Sequence, residues 1–235
     1  MAALDATAML IGVDDYSKYP EEVTRLPKVG SFLSPNLETI VSLKPTFVIV
    51  DDVHGPTAGA LHDAHVATIE CAIHGLPDLT RALQTVGAKI GRPAEAERVI
   101  ARIETALDNA RAHRPLKRPR VLAVIDREAG GLGNLVAVGP GSWIDELLAV
   151  VGAENVLAAS GVRYPKISIE EVLRGQPDVI LDLSSPEATA DPWNAVDVPA
   201  VRTGRVRVLY APFLVAPSPR VEDALAALSR AIAPP

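Results

Sequence analysis

Asn36-Leu37-Glu38-Thr39-Ile40-Val41-Ser42-Leu43-Lys44-Pro45-Thr46-Phe47-Val48-Ile49-Val50-Asp51 is matched further along the chain by Ser168-Ile169-Glu170-Glu171-Val172-Leu173-Arg174-Gly175-Gln176-Pro177-Asp178-Val179-Ile180-Leu181-Asp182. One constant offset, from Asn36 to Ser168, puts Leu37 on Ile169, Glu38 on Glu170, Ile40 on Val172, Pro45 on Pro177 and Val48 on Ile180, without a gap. Each copy reads as a short helix, a proline that stops it, and a wholly apolar strand. Asn36 suits the N-cap of the first helix. A strand with no polar alternation is expected to be buried on both faces, as in a parallel sheet covered by helices. Two such units, far apart in sequence, predict two similar α/β lobes.

The segment between them contains the strongest helical pattern. Pro93 suits a first helical position. Ala96, Val99, Ile100, Ile103, Ala106, Leu107 and Ala110 make one apolar stripe. Glu95 and Glu97 lie in the first turn, and Arg111, His113 and Arg114 in the last, the signs the helix dipole favours. Pro115 ends it. At about 1.5 Å per residue, a helix over 93–113 reaches about 31 Å and would act as a stiff strut. The expected organisation is an N-terminal lobe over 1–91, an interlobe helix over 92–115 and a C-terminal lobe over 116–235.

Further elements follow in order. Residues 8–13 read as a strand, 57–65 and 79–86 as helices, and 66–70 and 120–125 as strands. Ser142 is a plausible N-cap for a helix from Trp143 to Val151. Residues 204–209 read as a strand, and an amphipathic helix carries Val221, Leu225, Leu228 and Ile232. The start at Met1-Ala-Ala-Leu-Asp lacks the pattern of a secretion signal. It reads as an abrupt beginning, as of a truncated or processed chain.

The chain has 235 residues, 48% of them apolar and only 4% aromatic, so its packing is mainly aliphatic. A net charge of −6 without a basic run argues against a nucleic-acid partner. No apolar stretch reaches membrane-spanning length. Cys71 is the lone cysteine, so no intrachain disulfide is available.

Few motifs suggest chemistry. Asp51, Asp52 and His54 lie beyond the carboxyl end of a predicted strand, where open parallel sheets bind ligands. His62, His65 and His74 have part of a metal-ligand spacing, but a predicted helix and strand scatter them. Gly130-Gly131-Leu132-Gly133 lacks the Gly-Lys-Ser/Thr ending of a phosphate loop and reads as a mobile turn. Ser142, in Gly-Pro-Gly-Ser-Trp, is not a nucleophile elbow. No catalytic or metal-binding set is assigned. The scarce aromatics are more telling. Tyr16, Phe32, Trp143, Tyr164, Trp193 and Phe213 all fall in loops or at helix starts, as expected of side chains lining an apolar cleft. Glu38 and Glu170, at matching helix starts, suit the helix dipole and also suit an exposed acid on each lobe.

Leu26-Pro27-Lys28-Val29-Gly30, Pro35-Asn36-Leu37-Glu38 and Leu43-Lys44-Pro45 resemble the periplasmic substrate-binding proteins of cobalamin and ferric-siderophore ABC importers. Gly12-Val13-Asp14-Asp15-Tyr16-Ser17-Lys18-Tyr19-Pro20 is most similar to the cobalamin-binding branch. Leu147-Leu148 to Gly152-Ala153-Glu154-Asn155-Val156, Ile167 to Glu170, and Ser218-Pro219-Arg220 extend the resemblance over almost the whole chain.

The resemblance implies two Rossmann-like α/β lobes bridged by a single long helix, the class III arrangement, with the N-terminal lobe lacking its first strand. It implies a periplasmic or otherwise extracytoplasmic monomer that is not an enzyme and carries no cofactor. Such a protein captures cobalamin or a related corrinoid between its lobes and delivers it to an ABC permease dimer. Tyr16, Phe32, Asp52, His54, Trp143, Tyr164, Trp193 and Phe213 are the expected ligand-binding residues. Glu38 and Glu170 are the expected docking acids, with Glu222 as another choice in the C-terminal lobe. His54 departs from the family pattern and is a candidate either to approach a chelated metal or simply to cap its loop. The alternatives are a ferric-siderophore, haem or metal-ion binder and, in another class, a chelatase-like tetrapyrrole enzyme.

Overall fold

A computed structural model describes residues 1–234, apart from the side chain of Val53. The chain forms two compact units: Met1–Ile73 with Pro77–Ala101, and His74–Leu76 with Arg102 onward. The division falls within the long helix Pro93–Ala112. Its apolar stripe is buried at Ala96, Val99, Ile100, Ile103 and Leu107.

The first unit begins with 3-10 turns at Ala2–Leu4, Thr7–Met9 and Glu21–Arg25. Helix α1 (Leu37–Ser42) leads to strand β1 (Phe47–Val50), helix α2 (Gly55–Asp63), strand β2 (Ala67–Glu70) and helix α3 (Leu76–Lys89); the long helix is α4. The two strands pair in parallel, with Phe47 opposite Ala67 and Val50 opposite Glu70. Ile40, Val50 and Leu61 form a core beneath them, with Leu37, Val48 and Val66 packed against it.

Two expectations are corrected here. Residues 8–13 are not a strand. Val13 makes a single parallel bridge to Lys28, after a 3-10 turn. Val13 N donates to Pro27 O, and Val29 N to Val13 O. The next ladder bond towards the N-terminus would have to come from the N–H of residue 27, and Pro27 has none. Nor is β1 buried on both faces. Only Val50 is buried, and Ile49 is 40% exposed. Among the described residues β1 pairs with β2 alone.

In the second unit, strands β3 (Arg120–Asp126) and β4 (Leu135–Ala137) precede helix α5 (Trp143–Val150). Strands β5 (Glu154–Asn155) and β6 (Lys166–Ile167), helix α6 (Ile169–Gly175) and strand β7 (Val179–Asp182) follow. Helix α7 (Pro199–Arg202), strand β8 (Val206–Val208) and helices α8 (Pro212–Val215) and α9 (Val221–Ile232) complete it. The sheet order is β6-β4-β3-β7-β8, with β5 also on β3. β3, β7 and β8 run parallel, and β4 is antiparallel to β3 and β6. β7 lies between β3 and β8, and all four of its residues are buried. The same apolar pattern is thus buried where the strand has two neighbours and half-exposed where it has one.

The repeat extends to backbone detail. Asn36 Oδ1 accepts from Thr39 N at 3.0 Å, capping α1. Ser168 caps α6 at the matching position, in a capping box with Glu171. Lys44 and Gln176, the residues before the two prolines, both have positive φ. Among the described residues no helix is long and apolar enough to cross a membrane.

Candidate functional site

Ligands of open α/β sheets gather beyond the carboxyl ends of parallel strands. In the first unit the bridged segments at Val13 and Lys28 run parallel, and β1 and β2 run parallel. The residues that follow these ends are Asp14–Ser17, Gly30–Phe32, Asp51–His54 and Cys71.

Asp14 shapes the first of these loops. Its Oδ1 accepts from Tyr16 N at 2.7 Å and Ser17 N at 2.9 Å, and its Oδ2 from Ser17 Oγ at 2.8 Å. Lys28 Nζ closes the loop by donating to Asp14 O and Ser17 O, each at 3.1 Å. The Tyr16 side chain is left 70% exposed. Phe32 is exposed too, and its ring meets that of His54 edge-on, with centroids 4.8 Å apart and planes at 65°.

His54 is a brace. Its Nδ1 accepts from Asp51 N at 3.0 Å, and its Nε2 lies 2.5 Å from Phe32 O. An amide N–H only donates, so Nδ1 is the unprotonated nitrogen and Nε2–H donates to the carbonyl. Both ring nitrogens are engaged within the protein, which matches the loop-capping alternative for His54 rather than approach to a metal. Asp52 is exposed at the start of the 3-10 turn Asp52–His54. Cys71 is half-buried, and burial pushes its thiol pKa up.

A cavity of about 1090 Å³ opens within this unit. Every residue of β1 lines it, with Met9 to Asp14, Phe32, Asp51 and His54. A second space, of about 490 Å³, adjoins His62, Asp63 and His65. No group of three potential metal ligands occurs among the described residues.

In the second unit the parallel strands β3, β7 and β8 lead directly into Arg127, Leu183 and Leu209-Tyr210. Asp182, the last residue of β7, is fully buried and multiply bonded. Its Oδ2 accepts from Arg127 Nε at 2.7 Å and Trp193 Nε1 at 2.8 Å; its Oδ1 accepts from Ser184 Oγ at 2.6 Å. Burial alone would raise the Asp182 pKa, but the bonds from Ser184, Trp193 and Arg127 hold it below the ordinary value.

The two tryptophans are corrected. Trp193 is 0% and Trp143 1% exposed, so neither faces a ligand. Trp193 packs with Leu122, Ile180 and Val198 in the core. Trp143 opens α5 under the Ser142 cap, and among the described residues its Nε1 has no hydrogen-bond partner. Tyr164 is exposed, and partial burial raises its phenol pKa against the opposing effect of Arg163. Phe213 is half-buried, with the Arg220 guanidinium 4.6 Å from its ring centroid. Tyr210 is exposed two residues after the end of β8 and was missed in the sequence, although an aromatic immediately after the expected strand 204–209 was a usable signal. The Asn155 of Gly152-Ala-Glu-Asn-Val is structural: its Nδ2 donates to Val138 O at 3.0 Å and Asp145 Oδ1 at 2.8 Å.

Glu38 and Glu170 are both exposed at the second position of their helices, α1 and α6. Hydrogen bonds from its own backbone and from Ser168 lower the Glu170 pKa.

Residues 1–212 match the family model described as periplasmic binding protein. A vitamin B12-binding protein of Vibrio cholerae is 25% identical over 221 residues, spanning 92% of this chain and 78% of that protein. Among solved structures, the periplasmic heme-binding protein RhuT from Roseiflexus sp. RS-1, in apo form, is 28% identical with a TM-score of 0.84, covering 98% of this chain and 93% of that one. The periplasmic vitamin B12 binding protein BtuF of Vibrio cholerae is 23% identical with a TM-score of 0.81, covering 98% and 90%, a likeness of fold.

Proposed function

Because this chain belongs to the periplasmic binding protein family, the non-enzymatic ligand-capturing components of ABC transporters, we propose that it captures cobalamin or a related corrinoid and delivers it to a permease dimer. The observation that carries this reading is the placement of exposed aromatics. Tyr16 and Phe32 follow parallel segments of the first unit, and Tyr210 follows β8 of the second. Tyr164 adds a fourth exposed ring. A flat, largely apolar macrocycle is the ligand that such rings suit, with loop amides and Asp52 meeting its polar rim. The B12-binding relative supports the choice of macrocycle.

Haem is the second reading, favoured by the 28% identity to the Roseiflexus heme-binding protein. It uses the same aromatic faces. Calorimetric titration with cyanocobalamin, beside an absorbance titration with hemin, separates the two. Saturable binding of the corrinoid supports the first reading, and binding of hemin alone replaces it with the second.

Delivery rests on Glu38 and Glu170. One exposed carboxylate per unit, at equivalent helix positions, suits charge-guided docking on basic sites of a two-fold permease. An extracytoplasmic location and action as a monomer belong to this proposal.

A further inference from the structure

The loop Arg127–Asn134 and the loop Ser184–Ala195 leave the carboxyl ends of β3 and β7, adjacent strands of the second unit. One guanidinium joins them. Besides its bond to Asp182, Arg127 donates through Nη1 to Gly131 O at 2.7 Å and Glu128 O at 3.3 Å, and through Nη2 to Thr189 O at 3.0 Å. Its side chain is 3% exposed and that of Asp182 is 0%. Trp193 Nε1 donates to the same Asp182 oxygen as Arg127 Nε and ties down the end of the second loop. Leu132 packs against the core and anchors the tip of the first, while Gly130 turns that loop at φ +72.

We propose that Arg127 and Asp182 are positioning residues of the capture site: a buried ionic lock that holds both loops in the shape a ligand meets. The proposal rests on the capture function above. Arg127 does not itself offer charge to a ligand, because its side chain is 3% exposed and four of its five N–H donors are bonded to Asp182 and to three carbonyls. The bond set distinguishes this from a plain core ion pair. Any buried pair needs its remaining protons bonded; what is particular here is that the partners of those protons lie on two different loops. Here the guanidinium spans from the strand end to both loops, which a planar five-donor group does and a lysine ammonium does not. The glycines of the first loop supply no packing side chains, so Leu132 and the bonds from Arg127 are what hold it.

The test compares the wild type with Arg127→Lys, Arg127→Met and Asp182→Asn in three measurements: thermal unfolding, amide exchange by mass spectrometry, and the dissociation rates of cyanocobalamin and hemin. Arg127→Lys keeps the charge beside Asp182 and is expected to regain most of the unfolding midpoint lost in Arg127→Met. It is still expected to speed exchange at least tenfold at Glu128, Gly131 and Ala188, whose amides are bonded within the two loops. Dissociation of whichever probe binds the wild type is expected to quicken about tenfold. Loop exchange in Arg127→Lys equal to that of the wild type would overturn the lock. So would faster exchange with unchanged dissociation, because the loops would then not shape the site. If neither probe binds the wild type, the macrocycle reading fails, and the exchange result alone decides whether the lock exists.

Discussion

Lys44 and Gln176 occupy corresponding places in the two units, and both hold a left-handed backbone, at φ 51 and φ 40. Each lies at the end of a short helix, directly before the proline that opens the approach to a central strand. Gln176 adds a bond from its Nε2 to Leu173 O at 2.7 Å. The left-handed region costs an L-residue roughly 1–2 kcal/mol, and glycine adopts it freely. Lys44→Gly and Gln176→Gly are each expected to stabilise the protein by about 0.5–1 kcal/mol, a rise in Tm of about 2 °C. A fall in Tm for Gln176→Gly would show that its side-chain bond outweighs the backbone strain.

The aromatic residues divide into two classes with opposite expected phenotypes. Trp193→Phe removes a donor from the buried Asp182 carboxylate and leaves a void, so it is expected to destabilise by about 2–4 kcal/mol. Tyr16→Ala removes an exposed ring and is expected to change stability by less than about 0.5 kcal/mol, while weakening ligand binding about tenfold. Urea unfolding and calorimetry on the two variants read these effects. A destabilised Tyr16→Ala would place that ring in packing.

Which aromatics belonged to which class was not legible in the sequence. Trp193 and Tyr164 both sit in polar loops, and local pattern treats them alike. What separates them is Asp182, eleven residues before Trp193 and buried at a strand end, which takes its indole N–H. The repeat was legible because its determinants are local: Asn36 and Ser168 cap helices from the preceding residue, and Pro45 and Pro177 stop them. The false strand at 8–13 failed for a distant reason. Its apolar run is strand-like, but its partner segment presents Pro27 where a donor was needed. For β1, the same residue pattern as β7 predicted full burial, yet burial depends on the number of neighbouring strands, which the pattern does not encode.

Asp182 also sets an acid response. Its folded pKa is depressed, so its contribution to stability is fully present above the unfolded value, about 3.9, and is lost as pH falls through the lower folded value. Urea midpoints for the wild type are therefore expected to drop below about pH 4. Asp182→Asn, already less stable at neutral pH, is expected to show a shallower acid-side decline. An identical slope in both proteins would mean that other carboxylates carry the response.

Glu38 and Glu170 stand outside both the core and the aromatic loops. Glu38→Ala and Glu170→Ala are expected to leave ligand affinity within twofold of wild type and to reduce uptake in a transport assay with the matching permease. The double variant is expected to lose more than either alone. Wild-type uptake by the double variant would remove these residues from docking.

The central claim is capture of a corrinoid, and calorimetric titration of the purified protein with cyanocobalamin tests it most directly. The expected result is saturable binding with a Kd of about 1 μM or tighter, near −8 kcal/mol, weakened in Tyr16→Ala. No binding of cyanocobalamin under conditions where hemin saturates the protein would contradict it.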